Sequence, residues 1–178
     1  RGRSGAAAAA EGGASAFFFA GDWEALSARL LRASATAAQD EGSGCGKGRS
    51  PPPPACYDLI LASETLYTEA AAAKVHAMVR THLSWPDGRA LIASKRYYFG
   101  TGGSTQHFID LVEAGNRENA NTAIQEEALR EISSGCDQQQ QRFLECKQVW
   151  SCDDGRSNIR EILQVSWIRP VLPFSSSI

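Results

Sequence analysis

Hydrophobic and polar positions alternate along this chain in short, readable blocks. Asp58 to Ala62 is a brief apolar run that stops abruptly at Ser63, Glu64 and Thr65, the pattern of a buried strand ending in polar residues. A helix is predicted over Glu69 to His82, with Val75, Met78, Val79 and Leu83 inward and Thr68 as its N-cap. Trp85 to Arg89 reads as a turn and Ala90 to Ser94 as a second small, apolar strand, parallel to the first. Next come an aromatic and glycine loop, Lys95 to Gly103, and a helix from Thr105 to Ala114. Upstream, Phe17 to Phe19 reads as a three-residue strand. It is joined by a Gly21-Asp22 turn to a helix whose Trp23, Leu26, Leu30 and Leu31 share one face. Downstream, Phe143 to Trp150 and Ile159 to Ile168 are two strands flanking the turn Asp153 to Arg156.

Strand, helix, turn and strand in that order favour βαβ units and a parallel sheet covered on both faces. The expected class is α/β, a Rossmann-like and mostly parallel sheet that closes in a C-terminal antiparallel hairpin. Residues 1–16 are rich in Gly, Ala and Ser and are expected to be disordered. Residues 39–55 repeat that bias and end in Pro51 to Pro54, a linker-like insertion that cannot join a sheet ladder. Residues 115–141, rich in Asn, Gln and Glu, read as a polar insertion whose best helix is Thr122 to Ile132. One domain over residues 17–170, with a tail at 171–178, is the resulting organisation.

Composition narrows the function classes. A net charge of −2 and a pI near 5.9 leave no basic footprint for nucleic acid. The five cysteines are odd in number, lack a C-x-x-C pair and have no histidine at ligand spacing, so neither a disulfide framework nor a metal site is expected. No apolar run approaches the roughly 20 residues of a membrane span, and no Asn-x-Ser/Thr sequon occurs. A soluble protein of the cytoplasm or nucleus, with no membrane or nucleic-acid partner, is the expectation. Arg1 is not an initiator methionine, so the start is expected to have been removed, processed or never recorded.

In doubly wound sheets the ligand crevice lies beyond the carboxyl ends of the parallel strands. Ser63 and Glu64 hold that place, and capping the helix that follows is the lesser alternative for them. Trp23 reads either as a core residue or as a ring that covers a ligand. His76, His82 and His107 read as surface or boundary residues on helices. Gly44 to Gly48 fails the phosphate-loop pattern, since Lys47 is followed by glycine.

Four segments in order resemble the seven-β-strand S-adenosylmethionine-dependent methyltransferases, and within them the histidine protein methyltransferases. They are Phe17 to Trp23, Asp58 to Tyr67 (D-L-I-L-A-S-E-T-L-Y), Gly88 to Lys95 (G-R-A-L-I-A-S-K), and Tyr98 to Gly103 (Y-F-G-T-G-G). The S-E-T-L-Y and A-S-K-R-Y-Y-F-G-T-G-G pieces are the specific ones. The resemblance implies S-adenosyl-L-methionine as cofactor, with Gly21, Asp22 and Trp23 toward its adenosine and Ser63 toward its methionine. It implies a protein substrate, in the family including a large-subunit ribosomal protein. Glu64 is the candidate for orienting the acceptor imidazole, a role a carboxylate can fill by fixing the tautomer. Tyr98, Phe99, Gly100, Gly102 and Gly103 would form the substrate-side wall. The family also carries an upstream strand with a G-x-G loop and a second strand ending in an acid, and neither is found in this sequence. The chain therefore reads as a C-terminal fragment whose first strands are missing, with Phe17 to Phe19 lacking natural neighbours. A noncatalytic remnant that uses its open sheet edge for interaction is the rival reading.

Overall fold

The computed structural model describes residues 17–40, 56–130, 142–153, 155 and 158–168. The chain divides into two compact units, Arg1–Cys56 and Tyr57–Ile178. In the first, helix α1 spans Trp23–Asp40. Its start is set by Asp22, whose Oδ1 accepts the Glu24 N–H at 3.0 Å and whose carbonyl accepts the Leu26 N–H, the geometry of an N-cap. Gly21 before it has φ +144°, a conformation that favours glycine. The expected strand at Phe17 to Phe19 is not formed; these residues have no regular structure and lead directly into α1. Such a short run satisfies its backbone groups as a strand only with a neighbour to pair with, and none is present among the described residues. Phe19 instead lies under the Arg29 guanidinium, 5.3 Å from its ring centre.

The second unit holds the sheet, with strands β1 (Leu59–Ser63), β2 (Arg89–Lys95), β3 (Leu144–Cys152) and β4 (Arg160–Trp167), and helices α2 (Glu69–His82) and α3 (Thr105–Arg130). The strand order is β1-β2-β4-β3. β1 and β2 are parallel, whereas β2 with β4 and β3 with β4 are antiparallel. The α/β class and the closing hairpin match the sequence reading, but the described sheet is mixed where a mostly parallel one was expected. The difference arises because β4 returns beside β2, so that the hairpin supplies half of the strands.

Alternation along β2 and β4 decides the core. Ala90, Ile92 and Ser94 pair in register with Val165, Leu163 and Glu161, and all six are buried on one face of the sheet. Leu66, Val75, Val79, Phe108, Val112 and Leu144 are also buried in this unit. α2 begins as expected, the Thr68 hydroxyl accepting the Ala71 N–H at 3.1 Å. Capping of this helix therefore falls to Thr68 rather than to Ser63 or Glu64.

α3 runs unbroken past Ala114, where the sequence suggested a stop, and absorbs most of the expected polar insertion. Gly115 sits where a Cβ would fall 2.8 Å from His76 Cε1. Close approach of α2 thus offsets the cost of about 1 kcal/mol that a mid-helix glycine carries. Asn116 extends the fit, its side-chain amide pairing with both the carbonyl and the N–H of Leu144 at the start of β3. Residues 131–141 of the expected insertion, most of the 39–55 linker, and the segments 1–16 and 171–178 lie outside the described residues. His82, read as a surface or boundary residue, is 1% exposed and its ring meets Tyr57 edge-on. Tyr57 pairs with the end of α2, which draws His82 into the core.

Candidate functional site

The parallel pair β1 and β2 ends at Ser63 and Lys95, and two loops leave from there. The first, Glu64 to Thr68, and the second, Arg96 to Ser104, lie against each other. Thr68 of the first bridges Gly102 of the second, and within the second loop the Tyr98 N–H donates to the Gly103 carbonyl at 2.9 Å. Gly103 is buried so tightly that a Cβ there would lie 2.1 Å from the Leu66 carbonyl oxygen. Gly100 and Gly102 take φ of +80° and +78°, left-handed values that glycine adopts without side-chain conflict.

Glu64 is the one non-glycine residue with positive φ among the described residues, at +54°. A left-handed backbone costs a side-chain-bearing residue about 1–2 kcal/mol, and such strain clusters at functional positions. Its N–H donates to the Ala93 carbonyl, which ties the turn to the end of β2. The carboxylate then accepts the Tyr98 hydroxyl at 2.7 Å, the short distance of a charge-assisted bond. Tyr98 is held in turn by Ser94 Oγ at 2.9 Å and by the Lys95 N–H at 3.3 Å. The Lys95 ammonium lies 5.6 Å from its ring centre. Burial above all, with the Glu64 carboxylate adding to it, pushes the Tyr98 phenol above its ordinary range, against the opposing Ser94 and Lys95 hydrogen bonds.

Of the residues singled out in the sequence, Glu64, Tyr98, Gly102 and Gly103 are brought together where the two loops meet, with Ser63 exposed beside them. Phe99 projects from the loop and is 89% exposed, and a Cβ on Gly100 beside it would face open space. Gly21, Asp22 and Trp23 lie in the first unit, where Asp22 is engaged as a helix cap.

Two features escaped sequence reading. Glu161, buried on β4, accepts from Arg96 Nε at 2.6 Å and from the Thr105 hydroxyl. This fastens the second loop and the start of α3 to the hairpin. Its signal was a carboxylate at a core position of an alternating strand. Ser94, a buried hydroxyl in an apolar strand, gave the same kind of signal. Thr65 Oγ1, within S-E-T-L-Y, is buried without a hydrogen-bond partner.

Among the described residues there is no cluster of His, Cys, Asp and Glu able to hold a metal, and no helix long and apolar enough to cross a membrane. Cys56, Cys146 and Cys152 are free thiols.

An α/β unit whose two loops meet at the carboxyl end of a parallel strand pair is consistent with a methyltransferase-like fold. No protein-family model matches the chain. Curated relatives do. The chain is 30% identical over 110 residues to the histidine protein methyltransferase 1 homolog of Dictyostelium discoideum, covering 62% of this chain and 27% of that protein. It is 46% identical over 57 residues to the rat protein of the same name and 43% identical over 60 residues to the bovine one, each match covering 16% of the relative. The chain is thus a homologue of proteins named as histidine protein methyltransferases, over a minor part of their length.

Proposed function

We propose that this chain is the C-terminal part of an S-adenosylmethionine-dependent protein-histidine N-methyltransferase of the cytoplasm or nucleus, acting on a ribosomal or related protein. The observation that carries the reading is the junction of the two distinctive motifs, with the strained Glu64 of one joined to Tyr98 of the other.

The side chains present suit the cofactor chemically. In the second unit the Ser63 hydroxyl is exposed at the end of β1; in the first unit, taken by itself, the half-exposed Trp23 indole matches an adenine face, while the Asp22 carboxylate is engaged at the start of α1. S-adenosylmethionine, when bound, supplies the activated methyl group. The rest of the task is positioning, since displacement at carbon needs the nucleophile about 3–3.5 Å from it and aligned. A neutral imidazole is a competent nucleophile near neutral pH. Glu64 would accept the N–H of one ring nitrogen and leave the lone pair of the other free to attack. The glycine loop from Tyr98 to Gly103, with Phe99 at its tip, would flank the acceptor peptide. The G-x-G loop and first strands of the resembled family would come from sequence preceding Arg1.

A second reading has its own observation. Leu59 and Leu61 are 55% and 69% exposed on β1, an edge strand whose sole neighbour among the described strands is β2. Such an edge suits a noncatalytic module that recruits a partner strand.

Sequencing the transcript upstream of Arg1 and assaying the complete reading frame separates the two. Radiolabelled methyl transfer from S-adenosylmethionine to large-subunit ribosomal proteins, with methylhistidine found by mass spectrometry and lost in Glu64→Gln, supports the enzyme. An in-frame stop upstream, with no cofactor binding by calorimetry, favours the interaction module.

A further inference from the structure

The Tyr98 hydroxyl carries one proton and has three polar neighbours. The Lys95 backbone N–H, 3.3 Å away, can only donate. Glu64 Oε2, 2.7 Å away, accepts. Ser94 Oγ at 2.9 Å is able to do either. Because the Tyr98 proton goes to the carboxylate, nothing remains for Tyr98 to give Ser94, and Ser94 must be the donor.

We infer that Ser94 and Tyr98 form a one-way donor chain ending on Glu64 Oε2, which makes Tyr98 a positioning residue rather than only a wall of the substrate site. Ser94 is the anchor, since it is buried on β2 and fixed by strand register opposite Glu161. Tyr98 transmits that fixed position to a carboxylate that is otherwise exposed and free to rotate. No other hydrogen bond to the Glu64 carboxylate is made among the described residues, so Oε1 stays open to an incoming N–H donor. The charged groups facing the phenol are the Glu64 carboxylate and the Lys95 ammonium. The catalytic consequence rests on the Glu64 role proposed above, whereas the direction of the donor chain does not.

The test is a pH titration of the Tyr98 ring carbon by NMR in this chain, assigned with Tyr98→Phe. Loss of a donor to the phenolate in Ser94→Ala moves the titration to higher pH, and loss of the neighbouring charge in Glu64→Gln moves it to lower pH. Ser94→Thr, which keeps the hydroxyl, restores the original midpoint and serves if the alanine variant does not fold. In the complete reading frame, Tyr98→Phe lowers kcat about tenfold with little change in KM, the worth of one hydrogen bond to a charged group. A Tyr98 titration that neither Ser94→Ala nor Glu64→Gln moves overturns the donor chain, and Glu64 keeps its proposed role if Glu64→Gln still abolishes transfer. Shifts in the expected directions with full transfer by Glu64→Gln overturn the role of Glu64, and the positioning role of Tyr98 falls with it.

Discussion

Gly103 and Leu66 are in backbone contact: a methyl group on Gly103 would lie 2.1 Å from the Leu66 carbonyl oxygen and 2.4 Å from the Tyr67 carbonyl carbon. Neither neighbour is a side chain that can rotate away. Gly103→Ala is therefore expected to push the two loops apart, at a cost of about 1–3 kcal/mol. Thermal unfolding should show a clear drop, and the Tyr98 to Glu64 bond should be lost as the loops separate. Gly115→Ala provides the comparison, since its clash is with the His76 ring, which can shift.

The left-handed backbone of Glu64 leads to a prediction about stability alone. Both Glu64→Ala and Glu64→Gly remove the hydrogen bond to Tyr98, but only glycine relaxes at φ +54°. The glycine variant is expected to be more stable than the alanine variant by about 1 kcal/mol in denaturant unfolding. Equal stabilities would mean that this position carries no strain.

Glu161 holds a buried network whose loss should be felt at a distance. Removing its carboxylate leaves Arg96 and Thr105 without their partner. Breaking a buried ion pair costs about 3–5 kcal/mol, and since the Arg96 side chain is a third exposed, the lower end applies. Glu161→Ala should lower the unfolding midpoint strongly and loosen the Arg96 to Ser104 loop, read as faster amide exchange there. Exchange that rises uniformly over the chain instead would deny the network a local role.

His76 links stability to pH. Burial first, and then Arg80, hold its imidazole below the usual histidine range, with Glu118 opposing. Phe108 and Gly115 of α3 complete its surroundings. A group depressed in the folded state favours the unfolded chain once protonated, so its contribution is present above about pH 6.5 and is lost as pH falls through the folded value. Unfolding free energy should decline on acidification below about pH 6.5, and His76→Gln should flatten that slope. An unchanged slope would assign the decline to other groups.

Much of this protein was decided locally and was legible in the sequence. The helix from Glu69 to His82 with its Thr68 cap, both strands of the parallel pair, and the closing hairpin follow from periodicity and capping, which depend on residues a few positions apart. The S-E-T-L-Y and glycine-loop motifs were legible for the same reason, as each is a short contiguous string, and they lie in the two loops that meet. Phe17 to Phe19 form no strand because an apolar triplet becomes one only with a neighbour, which the resemblance already implied was missing, and no described strand pairs with it. The continuation of the helix past Ala114 was not legible because the stretch that follows is polar, whereas Gly115 and Asn116 fit it against His76 and Leu144.

The tertiary structure alone decided which side chains meet. Tyr98 and Glu64 are 34 positions apart, Thr105 and Glu161 are 56 apart, and Arg96 and Glu161 are 65 apart. Their pairing depends on the register of β2 against β1 and β4, and a slip of one residue would turn every partner to the opposite face. Sequence periodicity determines which face of a strand is apolar; only the assembled sheet determines which polar residue at its end finds another.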